Sequence, residues 1–511
     1  MPQVIIPAAG QYGFVPDAPT QELPANAWSL VDNMRFRNGC AERVEGHAPI
    51  FNTPVVVPYH LAAYQTNAKR YIVSCGLSAV YADDGLTTTN ITGTAPTGTA
   101  TDFWTDAVLG GVLLLNNGVD IPTYWAGTGT LAALPDWNSN WRCKSIAAFK
   151  NFAVAVGITK GGVFLPHMVK WSDAADPGAV PSSWNESDPT KLAGEQDIAE
   201  TPDLIVDQLV LGDANLIYKE RSVYAMRFIG GTQVFEFRRV PGNYGMLARG
   251  CGAVTPKGHC VLASGDVVLV DGVNEPQSIL NDRAKRWLFS SQIDSANYAK
   301  CFVTANPSRA EVWICYPEVG QTNCTKALIW NWESNTFGLR DLPNVTHACA
   351  GLVDYSAANS WNSDTGIWSE DSSLWNQDEF TPADPRLVFA STAPALFMAD
   401  AGTTFNGTGV QATLERAGLA FDTPEQVKVI RSVIPRVDAP AGTVLQISVG
   451  GAMDAETLPV WSPPVTYTVG SSYKADTFAS GRFLGLRITS TSGAKWRVKS
   501  LSLDIQPQGL F

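Results

Sequence analysis

Between about residue 59 and residue 405 the chain alternates short apolar runs with turn residues, and the alternation recurs. Residues 70–75 (Arg-Tyr-Ile-Val-Ser-Cys) and 79–82 (Ala-Val-Tyr-Ala) are β-branched and aromatic runs, separated by Gly76, Leu77 and Ser78 and followed by Asp83, Asp84 and Gly85. Glycine reaches φ > 0 without steric cost and Asp bonds onto its own backbone, so such a unit reads as a hairpin. Comparable units start near Trp104, Ile146, Asp207, Ala253, Cys301 and Ala348. Their spacing of roughly 40 to 60 residues is close to the repeat length of propeller blades. A lone four-stranded sheet leaves an apolar face and two edges open, and stacking blades around a closed ring covers them. The pattern predicts a mainly β chain with a six- or seven-bladed β-propeller over 59–405.

The flanks read differently. Residues 1–58 have little periodicity: Leu23 to Asn26 suit the opening of a short helix carrying Trp28, and Asn38 with Gly39 makes a hairpin turn after Met34 to Arg37. Such an arm buries little by itself and is expected to pack with the C-terminal domain. Over 406–511 the alternation is two-residue, with Val427, Val429 and Arg431 on one face and Lys428 and Ile430 on the other, followed by runs at 445–449, 465–469, 483–488 and 496–498. That spacing predicts a small C-terminal β-sandwich. A phase change between Trp496 and Val498 and the later Leu501, Leu503 and Ile505 implies a bulge. Helical pattern is confined to one or two short turns within 282–298.

Composition narrows the class. The 511 residues are 45% hydrophobic and only 16% charged, with 44 Gly and 32 Pro, which fits two or three turn-rich globular domains. No run approaches the roughly 20 apolar residues of a membrane span, and the first residues lack the basic start and apolar core of a signal peptide. Synthesis in the cytoplasm is therefore expected. Nine cysteines without a Cys-x-x-Cys pair point to buried thiols rather than disulfides or zinc. The net charge is −12: residues 1–410 hold 26 basic and 40 acidic side chains, and residues 411–511 hold ten and eight. So acidic a body disfavours tight binding of nucleic-acid phosphates.

Catalytic residue types are sparse. The five histidines, His47, His60, His167, His259 and His347, sit in no recognisable motif. His259 with Cys260, and His347 with Cys349, are candidate nucleophile–base or soft-metal pairs, but neighbours on a strand face opposite ways and two ligands do not complete a zinc shell. No phosphate-cradling Gly-x-x-x-x-Gly-Lys loop occurs. The run 362–368 approaches the Asp-box turn of sialidases with its Trp one position early, and Glu370 and Asp371 are adjacent carboxylates, so a glycan-cleaving propeller is the enzyme alternative. A propeller adhesin using Trp104, Trp125 and Trp171 is the binding alternative. The chain is expected to be no enzyme and to need no catalytic residue, cofactor or metal.

Two features are candidate interfaces. Trp361, Trp368 and Trp375 recur every seven residues, each followed three positions later by Asp, among poor helix formers. They read as successive turns with packed indoles, either a local mini-core or a partner-docking surface. Lys495, Arg497 and Lys499 share one strand face opposite Trp496 and Val498, facing phosphates, an acidic partner or solvent.

Both ends of the chain resemble the tail nozzle proteins of short-tailed phages, also described as tail-tube or packaged-DNA stabilisation proteins. The similar stretches are 23–39 with Arg43 and Gly46, then 216–224 and 262–272, then 481–488 and 495–498; together they cover about a quarter of the chain and contain no catalytic motif. The resemblance implies a propeller on a platform built from both chain ends, assembled as a homohexamer around the DNA exit channel below the portal and adaptor. It implies a virion structural protein of the phage tail that retains the genome and conducts it during DNA ejection, touching double-stranded DNA without sequence preference. The implied partners are further copies of the chain, the head-to-tail adaptor, and tail needle or fibre proteins. Acidic walls would let DNA slide without sticking.

Overall fold

The computed structural model describes residues 3–510 apart from 232, 353–384, 422 and 492. The chain is mainly β, built largely of four-stranded antiparallel sheets in a propeller-like circuit. The first sheet contains His60–Gln65, Arg70–Cys75, Val80–Asp83 and Thr88–Asn90, in chain order. Its last turn uses the chemistry anticipated from Asp-Asp-Gly: Gly85 has φ 88°, and Asp84 Oδ1 accepts from the Leu86 and Thr87 amides at 3.1 and 2.8 Å. The second sheet (Thr105–Leu109, Val112–Asn116, Thr123–Trp125, Ala132–Ala133) turns its first hairpin on Gly110 and Gly111, both at positive φ. Three more such sheets follow, opening with Trp141–Phe149, Ile205–Leu211 and Gly252–Thr255.

The circuit then closes in a way that local periodicity did not reveal. Strand Thr336–Gly351 is the last strand of one unit, after Phe302–Asn306, Glu311–Tyr316 and Cys324–Asn331, and its far end is the first strand of the next. The register slips at Val345 to His347, where the strand passes between them. This last unit adds Arg386–Ser391 and Ala395–Ala399, and its outer strand is the N-terminal segment His47–Pro49, with Met398 opposite Ala48. Opening strands touch around the ring: 141–149 lies against 105–109 and 205–211, and 336–351 lies against 60–65.

Residues 412–510 form two sheets. One contains Ala412–Leu419, Val444–Ala452 and Phe483–Ser490, with Leu30–Asp32 from the N-terminal segment along its edge. The other is built on Gln426–Asp438 and Arg497–Leu510, which Gln3–Ile6 and Cys40–Arg43 join. The phase change near Val498 is a bulge: Arg436 pairs Ser500 and Val437 pairs Val498, leaving Lys499 extra. The hairpin Met34–Arg37 and Cys40–Arg43 turns on Asn38 and Gly39, both left-handed, and bridges Leu339 to Arg497. One apolar core runs from Val261 and Val268 through Val312, Leu328 and Trp28 to Leu414, Leu486 and Leu503.

One local expectation fails. Trp28 is on no helix: a turn at Pro24 to Ala27 feeds a two-residue strand, Ala27–Trp28, parallel to Gly13–Phe14. Asn26 spends its amide on Pro7, Ala8 and Gln11, and the fully buried indole donates to Ala9 O, so tertiary contacts override the local helix signal. Short helical turns do occupy 281–292 and 298–300. No helix among the described residues is long and apolar enough to cross a membrane.

Candidate functional site

Polar side chains from distant segments meet at several places, two of which are candidates for a site. The first is the axis of the circuit, where polar groups bridge adjacent sheets. His60 Nε2 meets Asp106 Oδ1 at 2.8 Å, Thr105 Oγ1 accepts from the Ile146 amide at 3.2 Å, and Ser145 Oγ donates to Asp207 Oδ1 at 2.6 Å. Asp207 Oδ2 accepts from the Gly250 amide at 2.9 Å, Cys251 Sγ donates to Cys301 O at 3.2 Å, and His347 Nδ1 accepts from the Leu61 amide at 3.1 Å. At these seams a side chain on an opening strand, or just before one, makes the bond, so these neighbouring sheets are bonded as well as packed.

Cations bridge the sheets here. Arg249 Nη1 reaches across to Phe103 O at 3.2 Å and Lys144 O at 2.9 Å, and Lys300 Nζ donates to Ala100 O. Both cations lie over the Phe103 ring, at 5.3 and 5.6 Å. Burial lowers the pKa of Arg249 and of Lys300. The space left beside His60, Phe103, Phe302 and His347 is about 40 Å³, room for water and far below the several hundred Å³ of a typical ligand site.

The histidines and thiols are built into packing. His259 bonds Tyr218 Oη at 2.8 Å and Val210 O at 3.1 Å, and burial lowers its pKa to about 4. His47 stacks on Phe405, and burial with Arg340 nearby lowers its pKa to about 3. His347, against His60, is held well below the ordinary range by burial. Burial pushes the Cys260 and Cys349 thiols well up, away from nucleophilic thiolate. All nine cysteines are free, and no group of three or more metal-ligating side chains occurs among the described residues. Trp125 and Trp171 are buried in sheet cores, so they are not loop aromatics open to a glycan.

The second place is a groove of about 490 Å³ where the 34–43 hairpin meets residues 438–440 and 495–497. Here lie two of the three basic residues singled out by alternation, with the third at its edge. Lys495 Nζ pairs with Glu45 at 2.9 Å, Arg497 with Asp438 at 2.6 Å, and Lys499 with Asp438 at 3.2 Å. Hydrogen bonds from Arg497 and Lys499 lower the Asp438 pKa. Behind the groove lies a buried network that sequence reading missed. Arg35 pairs with Asp400 and, at 3.5 Å, with Glu311; Arg340 meets Asp400 at 3.0 Å and Gly46 O at 2.9 Å. Burial raises the Asp400 pKa, but Arg35, Arg340 and Arg309 outweigh it and hold the carboxylate well below its usual range. The network ties the N-terminal hairpin to both units that share strand 336–351. The only local sequence signal for it was Arg35 set between Met34 and Phe36. Trp361, Trp368 and Trp375, the Asp-box-like run 362–368, and Glu370 and Asp371 lie outside the described residues.

No protein-family model and no curated protein matches the chain. Among solved structures it is similar to the computationally designed Ika8 protein (10% identity, 70% of this chain and 99% of that one, TM-score 0.37). It is also similar to Raptor of Chaetomium thermophilum (6% identity, 70% and 29%, TM-score 0.39) and to the Cps50 (Swd1) β-propeller domain of Myceliophteria thermophila (8% identity, 70% and 99%, TM-score 0.40).

Proposed function

We propose that this chain is a structural ring protein, the tail nozzle of a short-tailed phage, with a seven-bladed β-propeller mounted on a platform made of the N-terminal segment and a C-terminal sandwich. The observation that carries the reading is the bridging of separate sheets by Arg249 and Lys300, which bond Phe103 O, Lys144 O and Ala100 O; in this reading the DNA channel lies between copies. The seam closure by His47–Pro49 and the core shared with residues 412–505 make each copy a stiff wall element suited to that use. Histidines and thiols serve packing in this reading, and the function is geometric, with no bond made or broken. Six copies joined head to tail close a ring without any cofactor, and an acidic surface lets DNA pass without adhering. Native mass spectrometry of the purified chain, alone and with the adjoining connector protein, tests it. Six copies on the connector are expected; a monomer under both conditions that binds a glycan array is the contrary result.

A further inference from the structure

Along one edge of the C-terminal sandwich, successive residues have opposite fates. The short strand Val460–Trp461 pairs with Gly450 and Gly451 of strand Val444–Ala452. Pro459 and Trp461 are seated on glycines: a Cβ on Gly450 would lie 2.7 Å from Pro459 Cβ, and one on Gly485 2.9 Å from Trp461 Cη2. Arg487 covers the indole at 4.1 Å. The intervening Leu458 and Val460 face solvent, 87% and 81% exposed. With Tyr473, at 77%, they are the three most exposed large apolar side chains among the described residues. Phe478 is also mostly exposed, on Ala475–Gly481, the outer strand of the second sheet, and Ser462 Oγ meets Thr477 Oγ1 at 3.1 Å to tie the two edges together. Met453, half-exposed, follows directly on strand Val444–Ala452.

This side of the sandwich has the chemistry of an interface. From Thr457 to Tyr473 no residue is charged, and interface cores are depleted of charge and enriched in aromatics and Met. Pro459, Pro463 and Pro464 remove backbone donors from the edge, so it offers side chains rather than a ladder for a further strand. At roughly 150–200 Å² per large side chain, the five exposed residues offer about 550–700 Å² of apolar surface. That is at or beyond the largest patch a monomer usually leaves bare, and close to the roughly 800 Å² per partner of a standard interface.

The opposite side of the same sandwich is apolar as well. Gln3–Ile6 is outermost beyond Arg497–Leu510, and Leu30–Asp32 is outermost beyond Ala412–Leu419. They present Ile5, 60% exposed, and Leu30, 47% exposed. Two different apolar sides at the two ends of the strand order are what head-to-tail contact between identical chains requires.

We infer that the side carrying Leu458, Val460, Tyr473 and Phe478 docks on the Ile5 and Leu30 side of a second copy of this chain. The choice of a second copy as the partner rests on the ring reading given above. Leu458 and Phe478, one from each sheet, are the anchors, and the seating of Pro459 and Trp461 holds the first of them in place before the partner arrives.

The test compares full-length wild type with Leu458→Asp, Phe478→Asp and a control, Leu86→Asp, at a residue of the first propeller sheet as exposed as Phe478. Sedimentation equilibrium, and native mass spectrometry with and without the connector, read association. Leu458→Asp and Phe478→Asp are each expected to weaken self-association at least about tenfold, and Leu86→Asp to leave it unchanged. Leu458→Cys mixed with Ile5→Cys and a short bismaleimide is expected to give a covalent dimer well beyond the yield of either variant alone. Sixfold rings that persist in both Asp variants overturn this contact and leave the ring reading standing. Dimers or open chains of copies that both variants dissolve support the contact and overturn the sixfold ring. A chain that stays monomeric and loses only its connector in both variants assigns the surface to the connector and overturns docking between copies, as does a wild type monomeric under every condition.

Discussion

The Ser145 hydroxyl donates to Asp207 Oδ1 at 2.6 Å, and through this bond the third sheet of the circuit is fastened to the fourth. The other oxygen of the same carboxylate takes the Gly250 amide, at the entrance to the fifth sheet. One side chain therefore spans two seams. Asp207→Ala is expected to destabilise the fold by about 2–4 kcal/mol, since it strands three donors, the Ser145 hydroxyl and the Gln208 and Gly250 amides, and Ser145→Ala by about 1 kcal/mol. Urea denaturation of both variants checks the ratio.

Asp400 is the acidic centre of the buried network, bonded to Arg35, Arg340 and the Asn306 amide group. Its removal leaves two guanidiniums buried beside each other, so Asp400→Ala is expected to cost about 3–5 kcal/mol. Adding Arg35→Met to that variant is expected to restore part of the loss, because the unpaired charge goes with it. A double-mutant cycle read by thermal unfolding measures the coupling.

The buried histidines set the response to acid. His47, with a folded pKa of about 3 against roughly 6.5 unfolded, takes its proton more readily in the unfolded chain between those values. Its contribution is intact above pH 6.5 and is lost as pH falls toward 3, with a slope of up to about 1.4 kcal/mol per pH unit. His47→Phe keeps the stack on Phe405 and removes the titration. The difference in unfolding free energy between wild type and this variant, measured at pH 7, 5.5 and 4, is expected to shift steadily in favour of the variant as pH falls.

Gly46 precedes the strand that closes the circuit. A Cβ there would lie 2.2 Å from Thr404 O and 2.9 Å from Ala401 O, both backbone atoms that cannot swing aside. Gly46→Ala is therefore expected to destabilise by about 1–3 kcal/mol through overpacking alone. Proteolysis at the 47–49 strand is expected to speed up along with it.

The hairpins were legible because their turns are local: Gly85 after Asp83 and Asp84, and Asn38 with Gly39, take left-handed positions that few other residues tolerate. The bulge at Lys499 was legible because it shifts the apolar phase. The closure was not: Ala48 pairs with Met398 across 350 residues, and His47–Pro49 is too short and too proline-marked to read as a strand. The single strand serving two units was hidden for a related reason, since Pro343 and Asn344 resemble a loop while the backbone runs on through them. At the groove, alternation found Lys495 and Arg497. Their acids Glu45 and Asp438, and the unpaired donors of Arg43 and Trp496, depend on packing between segments that no local period records.

The proposed assembly is a ring of copies whose bore lies between propellers. Electron microscopy of the purified chain bound to its connector measures this directly: annuli with sixfold symmetry are predicted, each propeller closed along its own axis and the central opening at least the roughly 20 Å width of duplex DNA. Isolated globules, or a particle in which the passage runs through the middle of a single propeller, would contradict it.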